Sequence, residues 1–392
     1  VRRFASILAV GIAVAAWAST SVADAPSRSR ADWSASPLPL DDAQLDDVER
    51  DAMGRCGRGE AGLGVVARAL LERKRHGGSL PDLDGLAGAL RDAGEPHPWP
   101  KAWSARGSSR AAMLAAFDAW LGTGAVPRRR CGVAHGVDPG GTETLVAVAV
   151  EAFADLAPLP ARARTGQWLT LEAHLRVPAS RTSVVVMEAD GLPRTVPSWV
   201  EGNTVRARFA PDRPGELDVQ VVADVAGGPR PVVEAEVAVD VSDDVARSPD
   251  LPAPGERAGD GEGLADADRL ARMIGAARGA LGLSALPSDP RLDAVARAHA
   301  ERMAATGELA HDAGDGDPFE RIRAAGLEPR SAGENVAHAP SLALAHRALW
   351  ASPSHRLNVL GRGFDRMGLG IVRAAGGDFW VVELFAGGLE GR

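Results

Sequence analysis

Between residues 165 and 241 the apolar side chains recur at every second position, and on either side of that tract their spacing is helical. Leu169, Leu171, Ala173 and Leu175 alternate with Thr170, Glu172 and His174, and Val205, Ala207 and Phe209 alternate with Thr204, Arg206 and Arg208. Leu217, Val219 and Val221 repeat the pattern around Asp218 and Gln220, and Val233, Ala235, Val237 and Val239 repeat it around Glu234 and Glu236. A period of two with one apolar and one polar face defines half-buried antiparallel strands. With residues 183–187 as a further strand and the turn tract 211–215, the pattern predicts a small β-sandwich of immunoglobulin-like type over 160–242. His174 falls on its outward face, as a surface histidine. One such core cannot absorb 392 residues, so the chain is multidomain.

Before the tract, residues 41–53, 63–75, 83–93 and 109–121 carry helical patterning, and Gly94 stops the third of these segments. Residues 144–150 read as a strand, which makes 42–157 a mainly helical α+β region. The cluster Arg128–Arg130 reads as a solvated loop. After the tract, 243–263 is rich in Pro, Gly, Asp and Arg without apolar periodicity and reads as a linker. Residues 265–281 then form an amphipathic helix. Asp289-Pro290 and Asp317-Pro318 each pair an N-cap with a proline whose missing N–H costs nothing at the first helical position. A helix at 342–350 and strands at 367–372 and 379–385 complete a layered α+β domain over 264–389.

The first residues read as an export signal over 1–23: Arg2 and Arg3, an apolar stretch 4–17, and the small-residue site Ser21-Val22-Ala23. The apolar run is shorter than the roughly 20 residues that span a bilayer, and no later segment is apolar enough. The expected location is therefore secreted or periplasmic, with no transmembrane segment in the mature chain. In an oxidising compartment Cys56 and Cys131 can pair; the alternative is two separately buried thiols. Neither has a CxxC neighbour or a nearby His cluster, which argues against a metal or redox role for them. The formal charge of −8 and the scattered basic residues argue against nucleic acid as a partner.

The strings that carry chemistry lie in the last domain. They are Leu309-Ala310-His311, Gly333-Glu334-Asn335-Val336-Ala337, and the run from Trp350-Ala351-Ser352-Pro353-Ser354-His355 through Arg356-Leu357-Asn358. Met367-Gly368-Leu369-Gly370 and Trp380-Val381-Val382-Glu383-Leu384-Phe385 follow. In this order they resemble the bacterial branch of the CAP superfamily (SCP-type domain), which also holds cysteine-rich secretory proteins, antigen 5 and pathogenesis-related proteins. The resemblance implies an α-β-α sandwich with a cleft in which two histidines and two acidic residues meet. By position His311 matches the first histidine, Glu334 the acid of the GEN string and His355 the second histidine. The second acid should follow Trp350, where this chain reads Ala-Ser-Pro-Ser, so the implied site has three members. Asn335 and Arg356 join them in the implied binding cleft.

Chemically, two imidazoles and a carboxylate suit Zn²⁺ or another divalent metal with an open position, held by His311, Glu334 and His355. Glu334 could instead orient an imidazole by hydrogen bonding, or all three could belong to a polar network that fixes the cleft loops. No GxSxG elbow or HExxH helix offers a nucleophile or a ready zinc site, and Ser352 and Ser354 merely flank His355. His299, on a face with Val295 and Met303, reads as a satisfied core histidine. His338 and His346 read as solvent-facing, and Asp312, Asp315 and Asp317 as a flexible polar loop that fails the EF-hand spacing. Arg356 and Asn358 read as loop-holding residues, and Trp350, Trp380 and Phe385 as core.

Parallels also run between the two ends of the chain. Ala67-Arg68-Ala69 matches Ala296-Arg297-Ala298, Trp120 matches Trp350, and Arg130-Cys131-Gly132-Val133 matches Arg366-Met367-Gly368-Leu369. They suggest that 42–157 is a degenerate CAP-like domain, with an unrelated helical spacer as the alternative. Such a copy would lack the site: Asp82 falls in the place of His311, and the stretch Ser104–Gly107 has no Glu. The functional expectation is an extracellular binding or interaction module at the cell envelope, with a lipid, cell-wall or protein ligand. The alternative is a metal-assisted hydrolase or peptidase using the same cleft, and a structural envelope spacer is the third reading.

Overall fold

The computed structural model describes Trp33 and residues 45–389 except 82, 108, 123–127, 242–251 and 262. The expected export signal, Asp82 and most of the first half of the expected linker lie outside the described residues.

The first unit begins with α1 (Asp47–Cys56), β1 (Arg58–Gly59), α2 (Ala61–Arg75) and α3 (Leu83–Asp92). It continues through β2 (Lys101–Gly107), α4 (Arg110–Leu121), β3 (Arg129–Val137) and β4 (Glu143–Glu151). Helix α1 starts later than the apolar pattern suggests, because Asp46 and Glu49 form a reciprocal capping box. The sheet order is β1-β3-β4-β2, with β1 parallel to β3 and the other pairs antiparallel. Every residue of β4 except its ends is buried, and its period of two divides it between two cores. Leu145, Ala147 and Ala149 pack with α1 and α4, while Val146, Val148 and Val150 pack with α2 and α3. The unit is thus a sheet between helical layers, with more strand than its helical patterning suggests. Cys56 at the end of α1 and Cys131 in β3 form a disulfide, with Cα atoms 6.3 Å apart.

The second unit is a two-sheet β-sandwich around one core. Its strands are β5 (Ala154–Leu156), β6 (Arg162–Ala163), β7 (Leu169–Leu175), β8 (Thr182–Met187) and β9 (Pro193–Val196). They continue with β10 (Ser198–Glu201), β11 (Thr204–Phe209), β12 (Gly215–Val225) and β13 (Gly228–Val239). One sheet runs β10-β11-β7-β5 and the other β6-β13-β12-β8-β9. The alternating residues of β7, β11, β12 and β13 supply its core, and Trp33 closes one edge by bridging Leu159. Because β5 pairs with β7, the sandwich starts before residue 157. Arg130 is buried against Asp155, at 3.7 Å, rather than solvated in a loop.

The third unit begins with α5 (Asp266–Ala280), α6 (Pro290–Thr306), α7 (Pro318–Ala324) and β14 (Ser331–Ala339). It ends with α8 (Leu342–Ala351), α9 (Pro353–Val359), β15 (Arg366–Arg373) and β16 (Phe379–Gly387). The prolines at the starts of α6 and α7 sit where their sequence places them, behind the caps Asp289 and Asp317. Sheet β14-β16-β15 again lies between two helical layers. Val381 and Phe385 pack with α5 and α8, and Val382, Leu384 and Ala386 pack with α6 and α7. Residues 252–261, within the expected linker, dock on this unit: Ala253 joins its core and Glu256 pairs with Arg347 at 2.5 Å.

The first and third units share one plan. Strands β2, β4 and β3 correspond to β14, β16 and β15, and the parallel β1–β3 pair corresponds to the parallel bridge of Ser288 with Met367. The backbone N–H of Glu60 donates to Cys131 O at 3.0 Å, and that of Asp289 donates to Met367 O at 2.9 Å, each at the start of the next helix. Gly132 and Gly368 occupy matching places. A Cβ on either would run into the backbone of the helix behind it, at Leu63 and Leu292 respectively, so both helices seat against bare backbone.

Candidate functional site

Three elements of the third unit bring the expected residues together. Glu334 lies on β14, where pairing with β16 sets it opposite Leu384 and turns it toward α6 and α7. His311 lies in the loop between α6 and α7, and His355 in the short helix α9. His311 Nδ1 stands 2.9 Å from Glu334 Oε1, and Arg321 of α7 binds the other oxygen, Oε2. The Glu334 side chain is 1% exposed and His311's 13%. Burial alone would raise the Glu334 pKa. The hydrogen bond from His311 and the charges of His311, Arg321 and His299 outweigh it and hold the carboxylate below its ordinary range. An ionised Glu334 accepts from His311 Nδ1–H, which leaves the lone pair of a neutral His311 on Nε2.

His355 is buried beside this pair. Its Nδ1 stands 2.7 Å from Ser352 Oγ. Burial, reinforced by His311, pushes its pKa down to about 3, so the ring is neutral throughout the physiological range. Asn335 turns to the other face of β14. It donates from Nδ2 to His355 O at 3.1 Å and to Glu383 Oε2 at 2.9 Å, and accepts from Asn358 at 2.9 Å. Arg356 donates to Trp350 O and lies over the Trp350 ring at 4.4 Å. Arg356 and Asn358 thus hold the loop as their sequence position suggests, and Trp350, Trp380 and Phe385 are buried.

Some neighbours match the sequence reading and others differ from it. His299 is a satisfied core histidine, bonded to Asp315 Oδ2 at 2.8 Å and to Ala310 O at 2.9 Å, yet it also lies 3.9 Å from Glu334. The acidic loop is knitted rather than loose: Asp312 accepts from Gly314 and Gly316, Asp315 binds His299, and Asp317 caps α7. His338 is exposed, but His346 is buried, with Nε2 3.0 Å from Pro254 O of the docked linker segment. Arg321 and Glu383 went unrecognised. Their only signals are an arginine on the buried side of a short helix and one carboxylate inside the apolar run 379–386. Burial raises the pKa of Glu383 to about 7 against the opposing bond from Asn335.

The sandwich takes part in the site. The carbonyl of Gly227, at the β12–β13 turn, accepts from the N–H groups of His311 at 2.9 Å and Asp312 at 3.0 Å. Gly228 has φ +100°, and a Cβ there would lie 2.6 Å from His311 Cβ. Gln220 of β12 donates to Ser352 Oγ at 3.2 Å and accepts from the Ser354 N–H at 3.0 Å. Gly191 O accepts from Arg356 at 3.1 Å.

The donor set fits a metal in one arrangement better than another. Both Glu334 oxygens are engaged, and His311, Glu334 and His355 are not among the described sets whose ligand atoms lie within 4.8 Å of one another. A metal would therefore fall to the imidazoles of His311 and His355, with Glu334 behind His311 as its hydrogen-bond acceptor.

A layered α-β-α domain closed by an antiparallel hairpin, with two histidines from separate segments meeting an acidic strand residue, defines the class. The family described as CAP, the cysteine-rich secretory protein family, matches residues 271–385, and the C-terminal part of the chain is a CAP domain. Solved structures with similarity include an outer surface protein from Borrelia burgdorferi, 23% identical, covering 31% of this chain and 90% of that one, with a TM-score of 0.29. An extracellular protein containing an SCP domain from Bacillus anthracis is 14% identical, with 60% and 86% covered and a TM-score of 0.28. A cysteine-rich secretory protein from Staphylococcus aureus is 11% identical, with 60% and 84% covered and a TM-score of 0.27. No curated protein matches the chain.

Proposed function

We propose that the protein is an exported envelope or extracellular binding module, in which the CAP cleft recognises a ligand rather than turning one over. One observation carries the reading. Both oxygens of Glu334 are engaged, by His311 and Arg321, so that carboxylate is not free to act as a general base, and His355, bonded to Ser352 and pushed by burial to a pKa of about 3, is too weak a base to activate that hydroxyl near neutral pH. Ser352 also receives a hydrogen bond from Gln220 of the sandwich. Neutral imidazoles are good metal ligands, and a divalent ion such as Zn²⁺ on His311 and His355, backed by Glu334, is part of the proposal. Export is supported by the Arg2-Arg3 and apolar pattern of the first residues and by the Cys56–Cys131 disulfide.

Two architectural readings accompany it. The sheet orders β10-β11-β7-β5 and β6-β13-β12-β8-β9 follow the strand order of immunoglobulin domains, with strands outside the seven-stranded core added at the edges. The matching plan of the first and third units supports a diverged CAP-like copy at the N-terminus without the site. The sheet register sets Ala102, rather than a residue of the stretch 104–107, in the place of Glu334. The ligand class remains lipid, cell-wall material or protein.

The test is turnover of mixed peptide and cell-wall substrates with and without chelator. The reading expects none in either condition. Turnover that disappears in His355→Ala would overturn it in favour of a hydrolase.

A further inference from the structure

The first unit holds a second cluster of ionisable side chains, remote in sequence from the CAP cleft. Glu60 precedes α2, and Glu95 and His97 lie between α3 and β2. They are 2%, 5% and 3% exposed, and one ligand atom of each lies within 4.8 Å of the others. His97 Nε2 stands 3.2 Å from Glu60 Oε2, and the backbone N–H groups of Leu63 and Gly62 donate to Glu95.

That leaves Glu60 Oε1, Glu95 Oε2 and His97 Nδ1 buried without a hydrogen-bond partner among the described residues. Two of these atoms are carboxylate oxygens. The third is an imidazole lone pair when His97 donates from Nε2 to Glu60. With both carboxyls ionised all three are acceptors without a partner; burial and the neighbouring Glu60 push the Glu95 carboxyl up to about 9, so it keeps its proton until a cation takes the proton's place. Among the described ion pairs Glu60 has His97 alone and Glu95 has none. Two carboxylates this close and this dry repel each other, and a buried carboxylate needs a positive partner. Two carboxylates and an imidazole form a donor set for a divalent transition metal, with the borderline O/N character that Zn²⁺ accepts.

We propose that Glu60, Glu95 and His97 form a buried divalent-metal site of the Zn²⁺ class. The site pins the segment between α3 and β2 onto the start of α2. The same segment meets the sandwich, since Pro96 O accepts from the Glu234 N–H at 2.8 Å and Arg91 of α3 pairs with Glu236 at 2.9 Å. A metal here would therefore stiffen the junction between the first two units. The proposal is independent of the CAP cleft reading.

The experiment uses the full chain carrying His311→Ala and His355→Ala, stripped with chelator and titrated with Zn²⁺ by calorimetry and thermal unfolding. The expected result is one binding event and a rise in Tm. Adding Glu95→Gln or His97→Ala should weaken that event by at least about 100-fold while far-UV circular dichroism stays unchanged. Co²⁺ in place of Zn²⁺ should give a visible ligand-field spectrum that His97→Ala abolishes. A flat titration of the His311→Ala/His355→Ala chain would overturn the proposal, whether or not the further variants fold. So would Zn²⁺ binding that survives both Glu95→Gln and His97→Ala.

Discussion

Glu334 joins His311, Arg321 and, at longer range, His299 around one buried carboxylate, and most of the site's order depends on it. Glu334→Gln keeps the shape but leaves the Arg321 guanidinium facing a neutral group. Removing one partner of a buried pair costs about 3–5 kcal/mol, and urea unfolding of the variant should show a loss of that order. An unchanged midpoint would mean that the pair contributes nothing. Glu383 makes a pH-dependent prediction. Its folded pKa, near 7, lies above the ordinary carboxylate value of 4.5, so between those values the unfolded chain releases a proton that the folded chain retains. The group therefore destabilises the fold progressively as pH rises from about 4.5 to about 7. In thermal melts across that window, Glu383→Gln should lose less stability than the parent, and parallel curves would refute the assignment. His311, Glu334 and Asn335 were legible because they sit in short strings with fixed neighbours. Arg321 was not, because its role depends on α7 packing beside β14, a contact across the fold that no local pattern records.

Helices were the most legible elements, since caps mark their ends. Asp289 and Asp317 each bond to the first turn that their position predicts, and Ser109, at the edge of the expected helix, caps α4. Strands β2 and β14 were not legible. Lys101–Gly107 and Ser331–Ala339 are built from small and mixed residues without a clear period of two, and only pairing with β4 and β16 makes them strands. At this scale the Cys56–Cys131 disulfide ties α1 to β3 across a sequence separation of 75 residues. Replacing both cysteines by alanine should lower the stability of the first unit by about 2–4 kcal/mol, read by chemical denaturation. A reduced chain that unfolds with its parent would contradict that cross-link. Gly368→Ala should also destabilise, because the added methyl meets the Leu292 backbone, which cannot move without shifting α6.

Across the whole molecule, the β-sandwich joins the other two units through specific contacts. It meets the first at Arg91, Pro96 and Arg130, and the third at His311, Ser352, Ser354 and Arg356. The period-two tract announced the sandwich, but nothing in it announced that Gln220 and Gly227 would face the cleft. Both belong to an ordinary strand and turn until the third unit docks. Gly228→Ala forces a Cβ toward His311 and should loosen this contact. Hydrogen exchange at the His311 and Asp312 amides, whose acceptor is Gly227 O, should then quicken by about tenfold or more, with the β16 amides unaffected. No helix among the described residues is long and apolar enough to cross a membrane.

The central claim is that His311 and His355 present an imidazole pair, with His311 oriented by Glu334, within reach of a divalent ion. Zn²⁺ titration of the full chain carrying His97→Ala, which silences the cluster of the first unit, tests it most directly. One binding event is predicted, and adding His311→Ala should remove it. A flat isotherm, or one unchanged when His311→Ala and His355→Ala are combined, would contradict the account.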